Sequence, residues 1–241
     1  MNVFIAGGNG AIGQALIDQY RRWAQAVEQP LRIYATFHRQ RPSPEADVEW
    51  LQVDLRDSGS ISETADYLQR HITSLDHWHC CSGYLHGDDG APEKALKSMQ
   101  QTKLLGDFAV NSIGPLLLFQ ACAPMLKRAE HAKAVFVSAQ VGSIEDNRSG
   151  GWYGYRMSKA ALNMGIRCAA IECMRWRKPP VVVAVHPGTT QSALSDPFVA
   201  NRQPQPQTAK ACGEKLFALT QSLQTEKNGT FLRLDGSTIP W

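Results

Sequence analysis

Seven residues near the start of the chain, Gly7-Gly8-Asn9-Gly10-Ala11-Ile12-Gly13, constrain its fold more than any other stretch. They follow a short apolar run, Asn2-Val3-Phe4-Ile5-Ala6, that reads as a buried strand. They precede Gln14–Tyr20, whose apolar residues recur with helical spacing. The turn between strand and helix satisfies two glycine patterns. Gly8, Gly10 and Gly13 fit G-x-G-x-x-G, and Gly7 and Gly13 are the outer glycines of G-x-x-x-G-x-G with Ala11 in the middle place. Glycine lets the backbone turn tightly and approach a pyrophosphate closely. The helix N-terminus offers unpaired N–H groups and a partial positive charge to phosphates. The segment therefore points to a dinucleotide, with Gly7, Gly8, Asn9, Gly10, Ala11, Ile12 and Gly13 as candidate contacts.

Strand and helix patterns alternate almost to the end of the chain, which argues for a parallel sheet. Further strands are expected near Leu31–Phe37, Val48–Val53, Asp76–Cys81, Ala132–Ser138, Pro180–Val185 and Gly229–Leu234. Helices are expected at Ser58–Arg70, with Ser58 or Ser60 as N-cap, at Gln101–Lys127, at Tyr153–Trp176 and at Ala209–Gln224. Pro115 lies inside the second of these, so a kink or break is expected there. The fold class is α/β: a single-domain, Rossmann-type, doubly wound parallel sheet of about seven strands with helices on both faces. The domain spans 1–241, and a loop rich in proline and glutamine, about 187–208, follows the sixth strand.

Composition narrows the function. With 241 residues, 43% hydrophobic and 20% charged, the chain suits one globular domain. A net charge of +3 with scattered basic residues gives no footprint for nucleic acid. No apolar run reads as long enough to span a membrane, and no signal peptide precedes the first strand. Six cysteines are present, none in a C-x-x-C pair, so no metal site is expected. They read as reduced thiols of a cytoplasmic protein.

The second chemical feature is Tyr155 and Lys159, four residues apart and so on one face of a helix. A nearby ammonium favours the phenolate and should lower the phenol's pKa. A phenol that exchanges a proton near neutral pH is a general acid/base for a carbonyl or an alcohol. Tyr-x-x-x-Lys also occurs by chance in helices, and the weight comes from the dinucleotide turn upstream.

The chain resembles the short-chain dehydrogenase/reductase family over its whole length. It is most similar to the carbonyl-reductase-like branch that includes the C-factor and Sniffer proteins. The match is specific around Gly142–Arg148, Gly150-Gly151-Trp152-Tyr153, Tyr155-Arg156-Met157-Ser158-Lys159 and Ala160–Met164, and recurs at His186–Thr189 and Asp235–Trp241. The resemblance implies that Tyr155 protonates a carbonyl oxygen, while Lys159 tunes the phenol and binds the nicotinamide ribose. It implies that Asn111 holds a water that supplies protons. Asp54, with Leu55 beside it, would accept from the adenine amino group. Cys81, Ser82 and Gly83 would lie against adenosine. The turn Pro187-Gly188-Thr189-Thr190 would meet the carboxamide or the diphosphate, and the loop beyond would be a substrate lid.

Two departures stand out. The family places a hydroxyl just after the fifth strand, and alignment on the following glycine puts Ala139 there. Ser138 shifted into place, Ser143 reaching in from the loop, or a slow enzyme are the three outcomes left open, with Ser143 slightly ahead of Ser138. The family's Asn-Asn-Ala-Gly is Cys80-Cys81-Ser82-Gly83 here. At the end of the second strand, Thr36-Phe37-His38-Arg39-Gln40-Arg41 contains no carboxylate, which favours NADP(H) over NAD(H), with His38 and Arg39 as candidate contacts. The expected activity is NADPH-dependent reduction of an aldehyde or ketone, a small-molecule carbonyl substrate. The alternative is a regulatory or sensing protein that binds the cofactor and has lost efficient chemistry. Pairing of the two long helices with a second copy is the preferred assembly.

Overall fold

The computed structural model describes residues 1–199, 203 and 205–241; the part of the expected 187–208 loop at 200–202 and 204 lies outside them. Seven strands among the described residues form one sheet: β1 (Asn2–Ala6), β2 (Arg32–Phe37), β3 (Val48–Gln52), β4 (His77–Cys80), β5 (Lys133–Val137), β6 (Val181–His186) and β7 (Phe231–Arg233). Their order is β3-β2-β1-β4-β5-β6-β7, and every pairing is parallel. The chain builds outward from β1 to β3, then returns to pair β4 with β1 and builds the other way. That reversal leaves a crevice beyond the carboxyl ends of β1 and β4, where open α/β sheets take their ligands.

The strands are apolar on both faces because helices cover both. Side chains alternate along a strand. Val3 and Ile5 of β1 join one core cluster, while Phe4 and Ala6 join the other. In β6, Val181, Val183 and Val185 go to the first side and Val182 and Ala184 to the second. The first side is covered by α1 (Ala11–Ala26) and α6 (Ala209–Ser222), which contribute Leu16, Ile17, Tyr20, Leu216 and Leu219. The second is covered by α2 (Ser58–His71), α4 (Gly114–Leu126) and α5 (Tyr153–Cys173), with the rings of Trp78, Phe119 and Phe136 packed edge-on and tilted in the same cluster.

Two local expectations are corrected. The N-cap of α2 is Asp57, whose side chain accepts from Gly59 N. Ser60 Oγ is spent on Asp54 N at 3.0 Å, so the serines are not the cap. The long stretch from Gln101 is three pieces: α3 (Gln101–Phe108), a π-helical turn at Ala109–Ile113, and α4. The break therefore begins ahead of Pro115, which sits in the first turn of α4, where its missing N–H costs nothing.

That same stretch corrects the membrane reading. Gln101–Leu126, taken as one 26-residue helix of mean hydropathy 1.4, is long and apolar enough to cross a bilayer. Half of that window is buried inside the fold, and Leu118, Cys122, Met125 and Leu126 pack in the second core cluster. The hydropathy is that of a core helix.

Candidate active site

A cleft of about 910 Å³ opens at the carboxyl ends of the central strands. Its floor at one end is the glycine turn. Gly7 has φ of +71°, and a Cβ there would come within 2.7 Å of Ser82 Oγ and 2.9 Å of Ser82 N. A Cβ on Gly13 would lie 2.3 Å from Gly7 O, so the helix start and the turn touch backbone to backbone. Among the described residues, Gly7 O at 3.3 Å is the only atom within 4 Å that a Cβ on Gly10 would meet. Helix α1 begins at Gly10 with no side-chain cap and no acid in its first turn. Its first N–H groups are thus left to a ligand, and the positive end of the helix is not neutralised. This cradle fits a diphosphate. Asn9, Gly10, Ala11 and Ile12 line the cleft with Gly7; Gly8 and Gly13 do not. Gly8 packs against Ala35 and Trp50 instead, so these two glycines serve the closeness of turn, helix and sheet.

Further along lie His38, Arg39, Asp54, Leu55, Cys81, Ser82 and Gly83. The basic groups here have carboxylates from other segments. Arg39 Nη2 meets Asp88 Oδ2 at 2.5 Å, Arg56 Nη2 meets Asp89 Oδ2 at 2.5 Å, and His38 Nε2 is 3.5 Å from Asp54 Oδ2. The second-strand segment lacks an acid, yet Asp88 arrives from the loop after β4, a contact invisible in sequence. Pro187, Gly188, Thr189 and Thr190 line the far wall. Gln207 Nε2 donates to Pro187 O at 2.5 Å, which ties the end of the following loop back to this turn.

Tyr155 and Lys159 stand on one face of α5, line the same cleft, and are both buried. Lys159 Nζ donates to Val137 O at 3.0 Å and lies 5.9 Å from the centre of the Tyr155 ring. Burial pulls the ammonium down to about 8. Burial, helped by the Asp107 charge, pushes the phenol well above its ordinary value. The lowering expected of Tyr155 is therefore not what this geometry gives. The ammonium is engaged with a backbone carbonyl and is too far away to offset the loss of water around a phenolate.

Asn111 sits in the π-helical turn, fully buried and behind the cleft wall. Its Nδ2 donates to Tyr84 O at 2.7 Å and Ser158 Oγ at 3.1 Å, while Oδ1 accepts from Tyr84 N at 2.8 Å. The side chain clamps the loop after β4 against α5. Of the two serines, Ser138 lines the cleft but donates to Asn163 Oδ1 at 2.6 Å. Ser143 lies outside the lining; it donates to Trp241 O at 3.3 Å and accepts from Asp146 N at 3.1 Å. Ala139 lines the cleft and packs with Tyr155 and Leu85.

Sequence reasoning missed the apolar wall. Trp152, Leu194, Phe198 and Val141 gather around Tyr155 and Leu85, with Trp152 and Phe198 rings 5.2 Å apart. The two aromatics are 46 positions apart in the chain, and only the Gly150-Gly151 pair before Trp152 hinted at a turn that would present a side chain. Among the described residues no group of three His, Cys, Asp or Glu side chains could hold a metal ion.

Comparison with known proteins agrees with this arrangement. The family model described as short chain dehydrogenase matches residues 1–203. The C-signal protein of Myxococcus xanthus is 30% identical over 149 residues, covering 61% of this chain and 84% of its own length. The structure of carbonyl reductase Sniffer of D. melanogaster superposes with a TM-score of 0.85 at 20% identity, covering 100% of this chain and 99% of its own. That of an NADPH-bound carbonyl reductase from chicken fatty liver does so with a TM-score of 0.83 at 22% identity, covering 100% and 98%. With its glycine turn, its parallel sheet and its tyrosine–lysine pair in one cleft, the chain belongs to the short chain dehydrogenase family.

Proposed function

We propose that the protein reduces an apolar aldehyde or ketone with NADPH. The observation that carries this reading is the placement of Tyr155 and Lys159 in one cleft with an uncapped helix N-terminus behind a glycine turn. A bound nicotinamide dinucleotide supplies the hydride. The chain's own groups do the rest. The first turn of α1 holds the diphosphate with backbone N–H groups. Tyr155, held protonated by burial, donates its proton to the carbonyl oxygen. Lys159 supplies positive charge beside it, and Asn111 fixes Tyr84 and Ser158 around them, leaving one lone pair of Oδ1 for a water on the Lys159 side. The wall of Leu85, Trp152, Leu194 and Phe198 excludes water and selects an apolar substrate.

Preference for NADPH rests on Arg39. Its partner Asp88 is exposed, and both side chains are about three-quarters open to solvent. Such a pair is weak, and a phosphate that offers a guanidinium two charge-assisted bonds displaces it. The NADPH-bound carbonyl reductase from chicken fatty liver shares this fold. Free thiols at all six cysteines fit a reducing compartment, so we place the protein in the cytoplasm.

The test is turnover with NADPH, and separately with NADH, against aldehydes and ketones of graded size and polarity. The reading expects NADPH oxidation fastest with bulky apolar carbonyls. A second reading is favoured by one observation: Ala139 offers no hydroxyl, and Ser138 and Ser143 are committed elsewhere. Tight NADPH binding with no oxidation above background across the panel would replace the reductase by a cofactor-binding sensor.

A further inference from the structure

The first turn of α5 carries Tyr155, and Arg156 ties it to the turn before it, Nε donating to Gly150 O at 3.1 Å and to Gly151 O at 2.9 Å. Its N-cap residue is Trp152, in the left-handed region at φ of 50°, with no side-chain cap and no acid in the first turn. A large side chain adopts that backbone only when its surroundings impose it. Besides those bonds, Glu93, in the loop before α3 and 61 residues ahead of Gly154, holds the turn from elsewhere in the chain. Glu93 O accepts from Trp152 N at 2.5 Å, and Glu93 Oε2 accepts from Gly154 N at 3.1 Å.

Glu93 does not act alone. Lys103 Nζ donates to both carboxylate oxygens of Asp107 at 2.5 Å, and Glu93, Lys103 and Asp107 are 3%, 2% and 0% exposed. The two carboxylates fill the space over Gly154: a Cβ there would come 2.1 Å from Asp107 Oδ2 and 3.1 Å from Glu93 Oε1. Glu93 Oε1 itself has no hydrogen-bond partner among the described residues. Buried charge clusters rarely stabilise a fold better than well-packed apolar residues would, so stability does not account for this one. Its position does. A carboxylate satisfies an orphan N–H at a helix N-terminus and faces the positive end of the helix. Gly154 immediately precedes Tyr155, and Lys103 and Asp107 lie on α3, which runs into the turn that carries Asn111. Glu93 thus bonds the first turn of α5 while Asp107, on α3, packs over the same turn at Gly154.

We propose that Glu93 is a positioning residue for Tyr155: a helix cap supplied from elsewhere in the chain that, with the Lys103–Asp107 pair, fixes the first turn of α5 and its register against α3. The inference rests on the reading of Tyr155 as the proton donor. Its test compares Glu93→Ala, which removes the cap, with Glu93→Gln, whose amide oxygen still accepts from Gly154 N. Three quantities are read: amide hydrogen exchange of residues 152–157, the dissociation constant for NADPH, and kcat. For Glu93→Ala the expected result is faster exchange confined to that turn. Alongside it, kcat falls at least about tenfold while NADPH affinity stays within about twofold, the pattern of a misplaced group rather than a lost binding site. Glu93→Gln should recover most of both losses. Unchanged exchange, or faster exchange with kcat intact, overturns the proposal, as does loss of kcat that only follows loss of folded protein. Should Glu93→Ala fail to fold, Glu93→Asp, which withdraws the carboxylate by one methylene, replaces it in the same comparison. Absence of turnover in the unaltered protein defeats the reductase reading itself, a result distinguishable from an active parent whose variants are unimpaired.

Discussion

Ala139 packs beside Tyr155 at the cleft wall, and in the proposed reduction a hydroxyl at this position would steady the carbonyl oxygen. A single such donor is worth about 10²–10³ in rate where it acts alone. Ala139→Ser should therefore raise kcat for carbonyl reduction at least about tenfold. Equal rates would show that carbonyl polarisation comes from elsewhere. Lys159 makes a pH prediction. Burial holds it near 8, against an ordinary value of 10.5. The folded chain thus binds fewer protons than the unfolded chain between those values, so this group's contribution to stability rises through that window and is lost as pH falls through about 8. For an anionic dinucleotide the sign reverses, because the anion prefers the charged lysine. NADPH affinity, measured by calorimetry from about pH 7 to about pH 9, should weaken as Lys159 loses its proton, and Lys159→Met should flatten the curve. A flat curve in the unaltered protein would contradict the assignment. At this scale Tyr155, Lys159 and the glycines were legible in the sequence because each belongs to a short local pattern. Glu93, Asp88 and Phe198 were not, because their partners lie tens of residues away.

Among elements, the turn between β1 and α1 separates packing from binding. Gly13→Ala would push a Cβ to 2.3 Å from Gly7 O and 2.7 Å from Gly8 Cα, backbone atoms that cannot yield cheaply. It should cost about 1–3 kcal/mol and lower Tm by several degrees. Gly10→Ala meets only Gly7 O at 3.3 Å and faces the cleft, so Tm should hold while dinucleotide affinity drops. Melting curves and binding isotherms of the two variants check both statements, and an unchanged Tm for Gly13→Ala would refute the packing argument. The strands were readable from apolar runs of four to six residues because both sheet faces are buried. The break near Pro115 was readable in existence but not in form: a proline announces a disruption, whereas the π-helical turn upstream depends on Asn111 reaching Tyr84 and Ser158. The cap of α2 was misplaced because several adjacent side chains can accept, and tertiary geometry chose Asp57.

At the scale of the whole molecule, two neighbouring helices carry exposed apolar side chains. Leu105, Ile113 and Leu117 on the α3–α4 stretch and Met157, Met164 and Ile171 on α5 are all at least one-third exposed. We propose that these side chains, on two adjacent helices, meet the same face of a second copy. We expect a homodimer through this face, seen in sedimentation as twice the protomer mass; Met164→Glu should return it to monomer, and a monomeric parent would remove the dimer from the account. The glycine turn, the tyrosine–lysine pair and the apolar wall that line the cleft all come from one chain, and the proposed chemistry needs all three. The most direct measurement of that claim is single-turnover NADPH oxidation by the Tyr155→Phe variant beside its NADPH dissociation constant. Tyr155 as proton donor predicts a rate at least about 10²-fold lower with affinity essentially kept. A variant that reduces the same carbonyl at the parent rate would contradict it.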